Sequence, residues 1–205
     1  MGVAQRRARE KEELKQQILD AARELFVRDG YESVSMRKIA NKIEYSPATI
    51  YTYFKDKDEI LDCLCEETFL KLSQELAAVH KMTGDPLEIL KKGMETYIRF
   101  GLDHPEHYIV TFILRAPIYE KPGHHETRKA KAGKACIDHM RCIVRRCMEE
   151  GKIKNADLEE TSQSLWAGAH GLTSLLITKP GFPFVEREKL IQRTLEVLIG
   201  GVSAS

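Results

Sequence analysis

Two neighbouring segments constrain the fold most: residues 35–40, with the sequence SMRKIA, and residues 46–57, with the sequence SPATIYTYFKDK. Each opens on a serine that can cap a helix, and Pro47 follows the second serine at the first helical position, where proline is favoured. The segments predict two short helices joined by a tight turn and followed at once by a longer helix. The pair has an inward apolar face, formed by Ile39, Ala40, Ile50 and Phe54.

The outward face of the same helices is polar, aromatic and cationic. It carries Arg37, Thr49, Tyr51, Thr52, Tyr53 and Lys57. Hydroxyls, rings and cations on a short helix are groups that the major groove of DNA and its flanking phosphates accept, so we expect double-stranded DNA as a partner. Tyr51 has a second interpretation, because its spacing of three from Phe54 also fits a place in the core.

The distribution of charge agrees with a DNA-facing segment at the amino end. The whole chain has a formal net charge of only +1, which excludes a surface that is basic all over. Residues 1–57 carry 12 Lys and Arg against 9 Asp and Glu, whereas the other 148 residues carry 20 against 22. Residues 1–9, with the sequence MGVAQRRAR, are expected to be mobile. They predict either an arm that lies along DNA, through Arg6, Arg7 and Arg9, or a solvated tail.

Apolar periodicity and capping signals predict nine helices and no convincing strand, so the predicted fold class is all-α. The third helix begins at Ser46 and Pro47. The others are expected at about 10–29, 35–42, 57–81, from Pro86 to a break at His104, at 105–116, in a long stretch ending near Glu150, at 157–178 and at 186–199. A loop is expected at 119–125.

Other classes of function have little support in the sequence. It shows no nucleophile elbow, phosphate loop or metal-ligand helix, so we expect neither an enzyme nor a bound metal or cofactor. No apolar run approaches the ~20 residues of a membrane helix, so a cytoplasmic protein without a membrane partner is expected. A helical interaction module without DNA binding is the remaining alternative.

The cysteines are odd in number and lack the spacing of zinc ligands. They are Cys63, Cys65, Cys136, Cys142 and Cys147. This pattern fits reduced, structural thiols, with a redox-sensing thiol as the alternative.

A long series of positions agrees in order and spacing with a known family. The positions are Ile18, Ala21, Ala22, Leu25, Phe26, Gly30, Tyr31, Ser35, Ile39, Ala40, Ser46, Thr49, Ile50, Tyr51, Tyr53, Phe54, Lys57 and Leu61. Through them, residues 10–62 resemble the tetracycline-repressor-like (TetR) family of transcriptional regulators. Residues 166–171, with the sequence WAGAHG, resemble the C-terminal signature of a subgroup named for its W-H-G motif. One position departs from the family: Glu44 stands in the turn where glycine is usual, which costs roughly 1 kcal/mol if the turn is left-handed.

The resemblance implies that residues 1–57 form a helix-turn-helix DNA-binding domain whose recognition helix begins at Pro47. The DNA-binding residues that it implies are Ser35, Arg37, Pro47, Ala48, Thr49, Tyr51, Thr52, Tyr53 and Lys57. Short side chains are expected at base edges, and Tyr53 and Lys57 at phosphates. A single unit of this size binds weakly, so a homodimer that reads a palindromic operator is expected.

Residues 58–205 are expected to form a helical domain that binds an effector and dimerises. The predicted dimer interface consists of Leu165, Ala169, Leu172, Leu176, Leu190, Ile191, Leu195 and Leu198, with Gly168 and Gly171 permitting close helix approach. The predicted ligand-binding residues are Tyr97, Phe100, Tyr108, Phe112, Trp166 and His170. A place in the core is the alternative for each residue of both sets. The predicted function is a repressor that an unknown small-molecule effector releases from its operator.

Overall fold

The computed structural model of the chain describes residues 2–114, 128–154 and 156–204. Within these residues it contains nine α-helices, one π-helix and no β-strand, so the all-α prediction is confirmed. The α-helices are α1 (Val3–Asp29), α2 (Met36–Lys42), α3 (Pro47–Tyr51), α4 (Lys57–His80), α5 (Pro86–Asp103), α6 (Pro105–Tyr108), α7 (Arg128–Glu149), α8 (Leu158–Thr178) and α9 (Arg187–Val202). The π-helix spans Ile109–Ile113.

Side-chain caps begin most of these helices where the sequence predicted. The Ser35 hydroxyl accepts a hydrogen bond from the Lys38 amide at 3.2 Å, and Asp85 accepts one from the Leu87 amide at 3.1 Å. At the start of α4, the Glu59 amide donates to the Asp56 carboxylate at 2.9 Å. Each cap satisfies an amide that the first helical turn leaves without a partner, which fixes the helix start.

Helix α1 begins at Val3, so the predicted start near residue 10 is wrong, whereas the mobility expected of residues 1–9 stays a prediction. Two ion pairs at i,i+4 spacing support the added turns. Arg6 Nε lies 3.4 Å from Glu10, and Arg9 Nε lies 3.3 Å from Glu13. The segment has neither glycine nor proline between residues 3 and 13, and it is rich in Ala, Arg, Glu and Lys, which are strong helix formers.

The segment after Pro105 also differs from the prediction of one α-helix to residue 116. Helix α6 ends at Tyr108, and the π-helix follows, with the Leu114 amide donating to the Ile109 carbonyl at 2.9 Å. The hydrogen bonds here span five residues instead of four, so the turn holds about one extra residue. Hydrophobic periodicity does not predict such an insertion. The predicted end at Ala116 and the loop at 119–125 lie outside the described residues.

Two compact units divide the chain, with the boundary inside α4 between Thr68 and Phe69. The first unit contains α1, α2, α3 and the segment that begins at Glu106. Helix α1 packs against α2 and the π-helix, and α2 packs against α3. The core of the unit includes Ile18, Phe26, Ile39, Ile50 and Phe54, each no more than 2% exposed. The inward face predicted for the two short helices is therefore confirmed.

The second unit comprises Phe69–Pro105 and the chain from Ala130 onward. Helix α5 packs against α8 and α9, which also pack against each other. The contact between α8 and α9 is close, because a Cβ atom at Gly168 would lie only 2.6 Å from Leu198 Cδ2. The chain end is held by an isolated β-bridge between Ile153 and Ser203. Among the described helices, none has the length and apolar character required to cross a membrane.

Candidate nucleic-acid interface

Helix α3 is held rigidly at its amino end. The Ser46 hydroxyl accepts a hydrogen bond from the Thr49 amide at 3.1 Å and lies 2.9 Å from the Thr49 hydroxyl. Pro47 occupies the first turn, and Ile50 anchors the helix in the core with no exposed surface. At the other end, the Thr52 hydroxyl donates to the Thr49 carbonyl at 2.7 Å. These contacts fix the orientation of a five-residue helix that is too short to be stable by itself.

The turn between α2 and α3 is left-handed at Glu44, with φ of 60°. The Tyr45 amide donates to the Ala40 carbonyl at 3.0 Å, which closes the turn at the end of α2. The turn therefore keeps its left-handed form although a side chain replaces the usual glycine. The buried residues on either side, Ala40 and Ile50, hold the two helices that the strained residue joins.

None of the nine predicted DNA-binding residues is buried. Ser35, Arg37, Ala48, Tyr51 and Thr52 are exposed, and Pro47, Thr49, Tyr53 and Lys57 are half-buried. Tyr51 is 57% exposed, which rules out a place in the core of this chain. The structure thus leaves polar and aromatic side chains of α3 open to solvent.

Lys57 is the predicted phosphate ligand whose surroundings differ most from the expectation. Its Nζ donates to the Tyr31 carbonyl at 3.0 Å and lies 4.2 Å from the centroid of the Tyr31 ring. Glu32 lies 3.9 Å away. In this conformation the ammonium is directed into the protein by a hydrogen bond, a cation–π contact and an ion pair. It has less freedom to reach a phosphate than an exposed lysine has.

Tyr31 links the end of α1 to the start of α4, a role that the sequence did not predict. Its ring packs 5.4 Å from Phe26, and its hydroxyl donates to the Asp58 carboxylate. Burial, together with this hydrogen bond, raises the pKa of Tyr31, so the hydroxyl stays protonated and remains a donor at neutral pH. The only sequence signal at Tyr31 is that Gly30 and Tyr31 match the pattern of the family.

The predicted ligand-binding residues fall into separate groups. In the second unit, the Tyr97 hydroxyl lies 2.9 Å from His170 Nδ1, and the rings of Trp166 and His170 are 5.3 Å apart. Burial lowers the pKa of His170, so its imidazole is neutral at pH 7. Phe100 is buried in the same unit, with its ring 5.0 Å from His104.

Tyr108 and Phe112 belong to the first unit. Their rings lie 5.0 Å apart, with Phe112 in the π-helix. Tyr108 is fully buried.

The predicted dimer residues are divided by their burial inside the chain. Five of them, namely Leu165, Ala169, Leu172, Ile191 and Leu195, are at most 8% exposed. They form the core between α5, α8 and α9 and offer little surface to a partner. Leu176, Leu190 and Leu198 are half-buried. Gly168 packs against Leu198 of the same chain, whereas a Cβ atom at Gly171 would meet open space.

The cysteines are all reduced. Burial raises the pKa of Cys136 to about 12 and that of Cys147 to about 11. Neither thiol is therefore a reactive thiolate at neutral pH.

Two family models match the chain. Residues 18–64 match the model described as bacterial regulatory proteins of the tetR family. Residues 90–198, more than half of the chain, match the model described as the tetracyclin repressor-like C-terminal domain. The two matches thus cover the helix pair α2–α3 and the α5–α9 region separately.

Curated relatives match over less than half of their own length. A stretch of 91 residues is 33% identical to the HTH-type transcriptional regulator AcrR of Shigella flexneri, covering 44% of this chain and 42% of AcrR. A stretch of 83 residues is 31% identical to the HTH-type nicotine-responsive transcriptional repressor HdnoR of Paenarthrobacter nicotinovorans, covering 40% of this chain and 43% of HdnoR. The chain thus spans about two fifths of the length of these relatives.

Solved structures share the fold along almost the whole chain. A bacterial regulatory protein of the tetR family from Rhodococcus RHA1 superposes with a TM-score of 0.79 at 17% identity, over 93% of this chain and 97% of that one. The ketosteroid transcriptional regulator KstR2 of Mycobacterium tuberculosis gives a TM-score of 0.73 at 18% identity, over 93% and 95%. With both family models matched and an open, capped recognition helix in place, this chain belongs to the tetR family of transcriptional regulators and carries a helix-turn-helix DNA-binding domain.

Proposed function

We propose that this chain is a homodimeric repressor that binds a palindromic operator through residues 1–57 and is released by a small-molecule effector. The observation that carries the proposal is the open surface of α3, where Thr49, Tyr51 and Thr52 stand on a helix fixed by a cap and a buried anchor. Threonine methyl groups and a tyrosine ring suit contacts with thymine methyl groups and base edges in the major groove. No catalytic step is part of this function.

The test is binding of the full chain to duplex DNA from the region upstream of its own gene, measured by gel shift and fluorescence anisotropy. Tyr51→Ala is expected to weaken specific binding by about 1–3 kcal/mol, or roughly five-fold to 150-fold. Phe182→Ala is the matched control, because Phe182 is a similarly exposed aromatic residue in the second unit, at 61% against 57% for Tyr51. Equal affinities for the wild type and Tyr51→Ala would contradict the proposed contact.

Dimerisation is proposed through a face of α8 and α9 that the described residues leave exposed or half exposed. Along α8 this face carries small side chains at positions spaced by three and four residues, namely Ser164, Ala167, Gly171 and Ser174. Leu175 and Val197 add exposed apolar surface, at 47% and 57% exposure. Small residues let two helices approach closely, and exposed apolar groups gain free energy from burial against a second copy. This face replaces the buried leucines as the proposed contact surface.

The effector is proposed to bind beside Tyr97, Trp166 and His170. The cluster places the Trp166 ring beside the hydrogen-bonded pair Tyr97 and His170, and Trp166 remains 37% exposed. Flat, mostly apolar ligands with one hydrogen-bonding group suit such surroundings. An effector releases DNA only when it binds the released conformation more tightly than the DNA-bound one.

Trp166 is the only tryptophan of the chain, so its fluorescence reports directly on this cluster. Planar aromatic compounds are titrated into the full protein, and those that change Trp166 emission are added to the protein–DNA complex. A compound that binds wild type is expected to lose affinity for Tyr97→Phe, since that variant removes only the hydroxyl. The effector proposal is contradicted when a compound releases DNA from the Tyr97→Phe and His170→Gln variants as readily as from the wild type.

Repression is tested separately by transcription in vitro from the upstream fragment. Addition of the protein is expected to lower transcript yield, and a bound effector to restore it. A rise in yield on addition of the protein would identify an activator instead.

A further inference from the structure

Two histidines of the second unit lie side by side although they belong to different helices. His80 is the last residue of α4, and His139 lies in the middle of α7. Their ring centroids are 5.7 Å apart. His80 is exposed and His139 is half-buried, so solvent reaches the pair. The two positions are far apart in the sequence, so their spacing along the chain gave no sign of a shared site.

The hydroxyl of Ser73 orients the ring of His139. The Ser73 oxygen lies 3.2 Å from His139 Nε2. In the tautomer that donates from Nε2 to this oxygen, Nδ1 keeps its lone pair. Histidines that bind metal ions use this arrangement, with one nitrogen on the ion and the other donating to a protein group. Burial, together with the neighbouring His80, lowers the pKa of His139, so the imidazole is neutral at pH 7 and able to act as a ligand.

The distance between the two rings fits two ligands of one ion. A zinc–nitrogen bond of about 2.0–2.1 Å places the centroid of a ligating imidazole about 3.2 Å from the ion, so two such rings at a tetrahedral ion lie about 5 Å apart. The observed centroid distance of 5.7 Å is close to this spacing. A small rotation of the exposed His80 side chain closes the difference.

A cysteine lies next to the pair on α7. Cys142 comes three residues after His139, a spacing that puts two side chains on the same side of a helix. Arg146, one turn further along that side, donates to the Gly84 carbonyl at 2.8 Å, in the segment that follows α4. This side of α7 therefore faces the end of α4, where His80 is located. Cys142 is exposed and reduced, so its side chain can turn toward the two histidines.

We propose that His80, His139 and Cys142 bind one divalent ion of the Zn²⁺ type, with water as the fourth ligand. Among the residues that the structure describes, no three His, Cys, Asp or Glu side chains stand close enough to hold an ion in the present conformation. The histidine pair is already placed, and the thiol joins it by side-chain rotation, releasing its proton to solvent as it binds. Two imidazoles and a thiolate suit Zn²⁺ or Co²⁺, whereas Mg²⁺ and Ca²⁺ prefer oxygen ligands.

The ion would connect α4 to α7 within the second unit, to which all three ligands belong. The proposal is therefore independent of the DNA-binding function. The test is titration of the full chain with Co²⁺, which replaces Zn²⁺ and is visible in the absorption spectrum. After treatment with EDTA and under reducing conditions, the protein is expected to bind one Co²⁺ per protomer and to show the near-ultraviolet band of a cobalt-bound thiolate. Zn²⁺ is expected to remove this band by displacement, and Mg²⁺ to leave it unchanged.

Variants of the ligands assign the site. Cys142→Ser is expected to abolish the thiolate band. His80→Gln and His139→Gln are each expected to weaken Co²⁺ binding by more than about ten-fold, because removal of a ligand costs more than removal of a group that only orients one. Ser73→Ala removes the orienting hydroxyl and is expected to weaken binding by about ten-fold, whereas Ser73→Thr keeps a hydroxyl and is expected to bind nearly as the wild type does.

Matched controls remove the same residue types from other parts of the chain. Cys63→Ser replaces a cysteine of the first unit, and a His124→Gln, His125→Gln double variant replaces two adjacent histidines. Both controls are expected to bind Co²⁺ as the wild type does and to keep the thiolate band.

Melting temperatures separate loss of the site from loss of the fold. An ion that binds only the folded chain raises the melting temperature, so Zn²⁺ is expected to stabilise the wild type and not Cys142→Ser. His80 and Cys142 are exposed, so their variants are expected to melt, without metal, at the temperature of the metal-free wild type.

The proposal is overturned by a wild type that binds no Co²⁺, by a Cys142→Ser protein that keeps the thiolate band, or by a control variant that loses it. Each of these results leaves DNA binding through α3 in place. A failure of the chain to bind its own upstream region would, in turn, leave the metal site in place.

Discussion

The surface of α3 and the outer face of α8 and α9 are both open to solvent, but they differ in chemistry. On α3 and at its C-cap, Thr49, Tyr51 and Thr52 offer hydroxyl groups, and the exposed cations Arg37 and Lys55 precede and follow the helix in the sequence. On α8 and α9 the exposed positions are small or apolar, with Leu175 and Val197 about half exposed. A hydrated, charged polymer suits the first surface, and a second protein surface suits the other. The comparison teaches that one chain exposes two helix surfaces of opposite chemistry, one polar and one small and apolar.

The largest expected effect comes from placing a charge on the face of α8. Ala167→Glu puts like charges near each other across a two-fold axis, so the variant is expected to be monomeric and to bind operator DNA at least a hundred-fold more weakly. Size-exclusion chromatography with light scattering gives the mass, and anisotropy gives the affinity. Ala78→Glu is the control, since Ala78 is also an exposed helical alanine of the second unit. A dimeric Ala167→Glu protein would contradict the proposed interface.

The two α8 glycines provide the next test, because only Gly168 lies against a side chain of α9. Both substitutions by alanine gain the same helix propensity, but the Gly168 variant places Cβ 2.6 Å from Leu198 Cδ2, and the Gly171 variant meets nothing within 4 Å. Gly168→Ala is expected to be less stable than Gly171→Ala by about 1–3 kcal/mol. Urea unfolding of both variants at one protein concentration measures the difference. Equal stabilities of the two variants would show that Leu198 or α9 moves away from the added methyl group without loss of stability.

A smaller change is expected in the turn of the DNA-binding surface. Glu44→Gly removes the side chain from a residue with φ of 60° and is expected to stabilise the protein by up to about 1 kcal/mol. Glu44→Ala removes the same charge but keeps a Cβ atom, so it should leave stability near that of the wild type. Thermal unfolding compares the three proteins. A gain in both variants would attribute the effect to charge rather than to backbone strain.

The smallest expected effect is a loss of stability in mild acid that arises from His139 and His170, both in the second unit. Burial lowers the pKa of His139 and of His170, so below about pH 6.5 the unfolded chain takes up protons more readily than the folded one. Stability is therefore expected to fall between about pH 7.5 and 5.5, and to fall less in a His139→Gln, His170→Gln double variant. Melting temperatures at the two pH values measure it.

The control for this acid effect lies in the first unit. Residues 1–57 contain no histidine. Hydrogen bonds from Arg28 and Lys38 hold the pKa of Asp29 below its usual range, so this carboxylate stays ionised at both pH values. Asp29→Asn is expected to lower the melting temperature by the same amount at both pH values. A wild type whose melting temperature is the same at both pH values would contradict the prediction for the histidines.

Local signals predicted much of the fold. Ser35, Ser46, Asp85 and Asp157 mark helix starts because a short polar side chain satisfies an amide only a few residues away. The burial of Ile39, Ala40, Ile50 and Phe54 follows from their spacing. The sequence left the turn at Glu44 open between a relaxed form and a strained left-handed form, and the structure has the left-handed one.

Contacts between residues far apart in the chain could not be predicted from the sequence. Nothing near Lys57 indicates that its ammonium bonds to Tyr31, because that contact depends on how α1 and α4 pack. Periodicity marks Leu165, Leu172 and Leu195 as apolar, but it does not tell a core from an interface. The added turns of α1 were missed because a polar segment without a buried face gives no hydrophobic period.

The π-helix at Ile109–Ile113 has a consequence for reading the side chains that follow it. One residue more than a regular turn requires is accommodated there, so every later position in the segment is rotated by about 100° from its place on an α-helical wheel. Deletion of a single residue from this stretch would restore regular winding and turn Phe112 away from Tyr108, whose rings now lie 5.0 Å apart. Deletion of one residue would therefore change the packing of side chains in this part of the first unit more than any conservative replacement there.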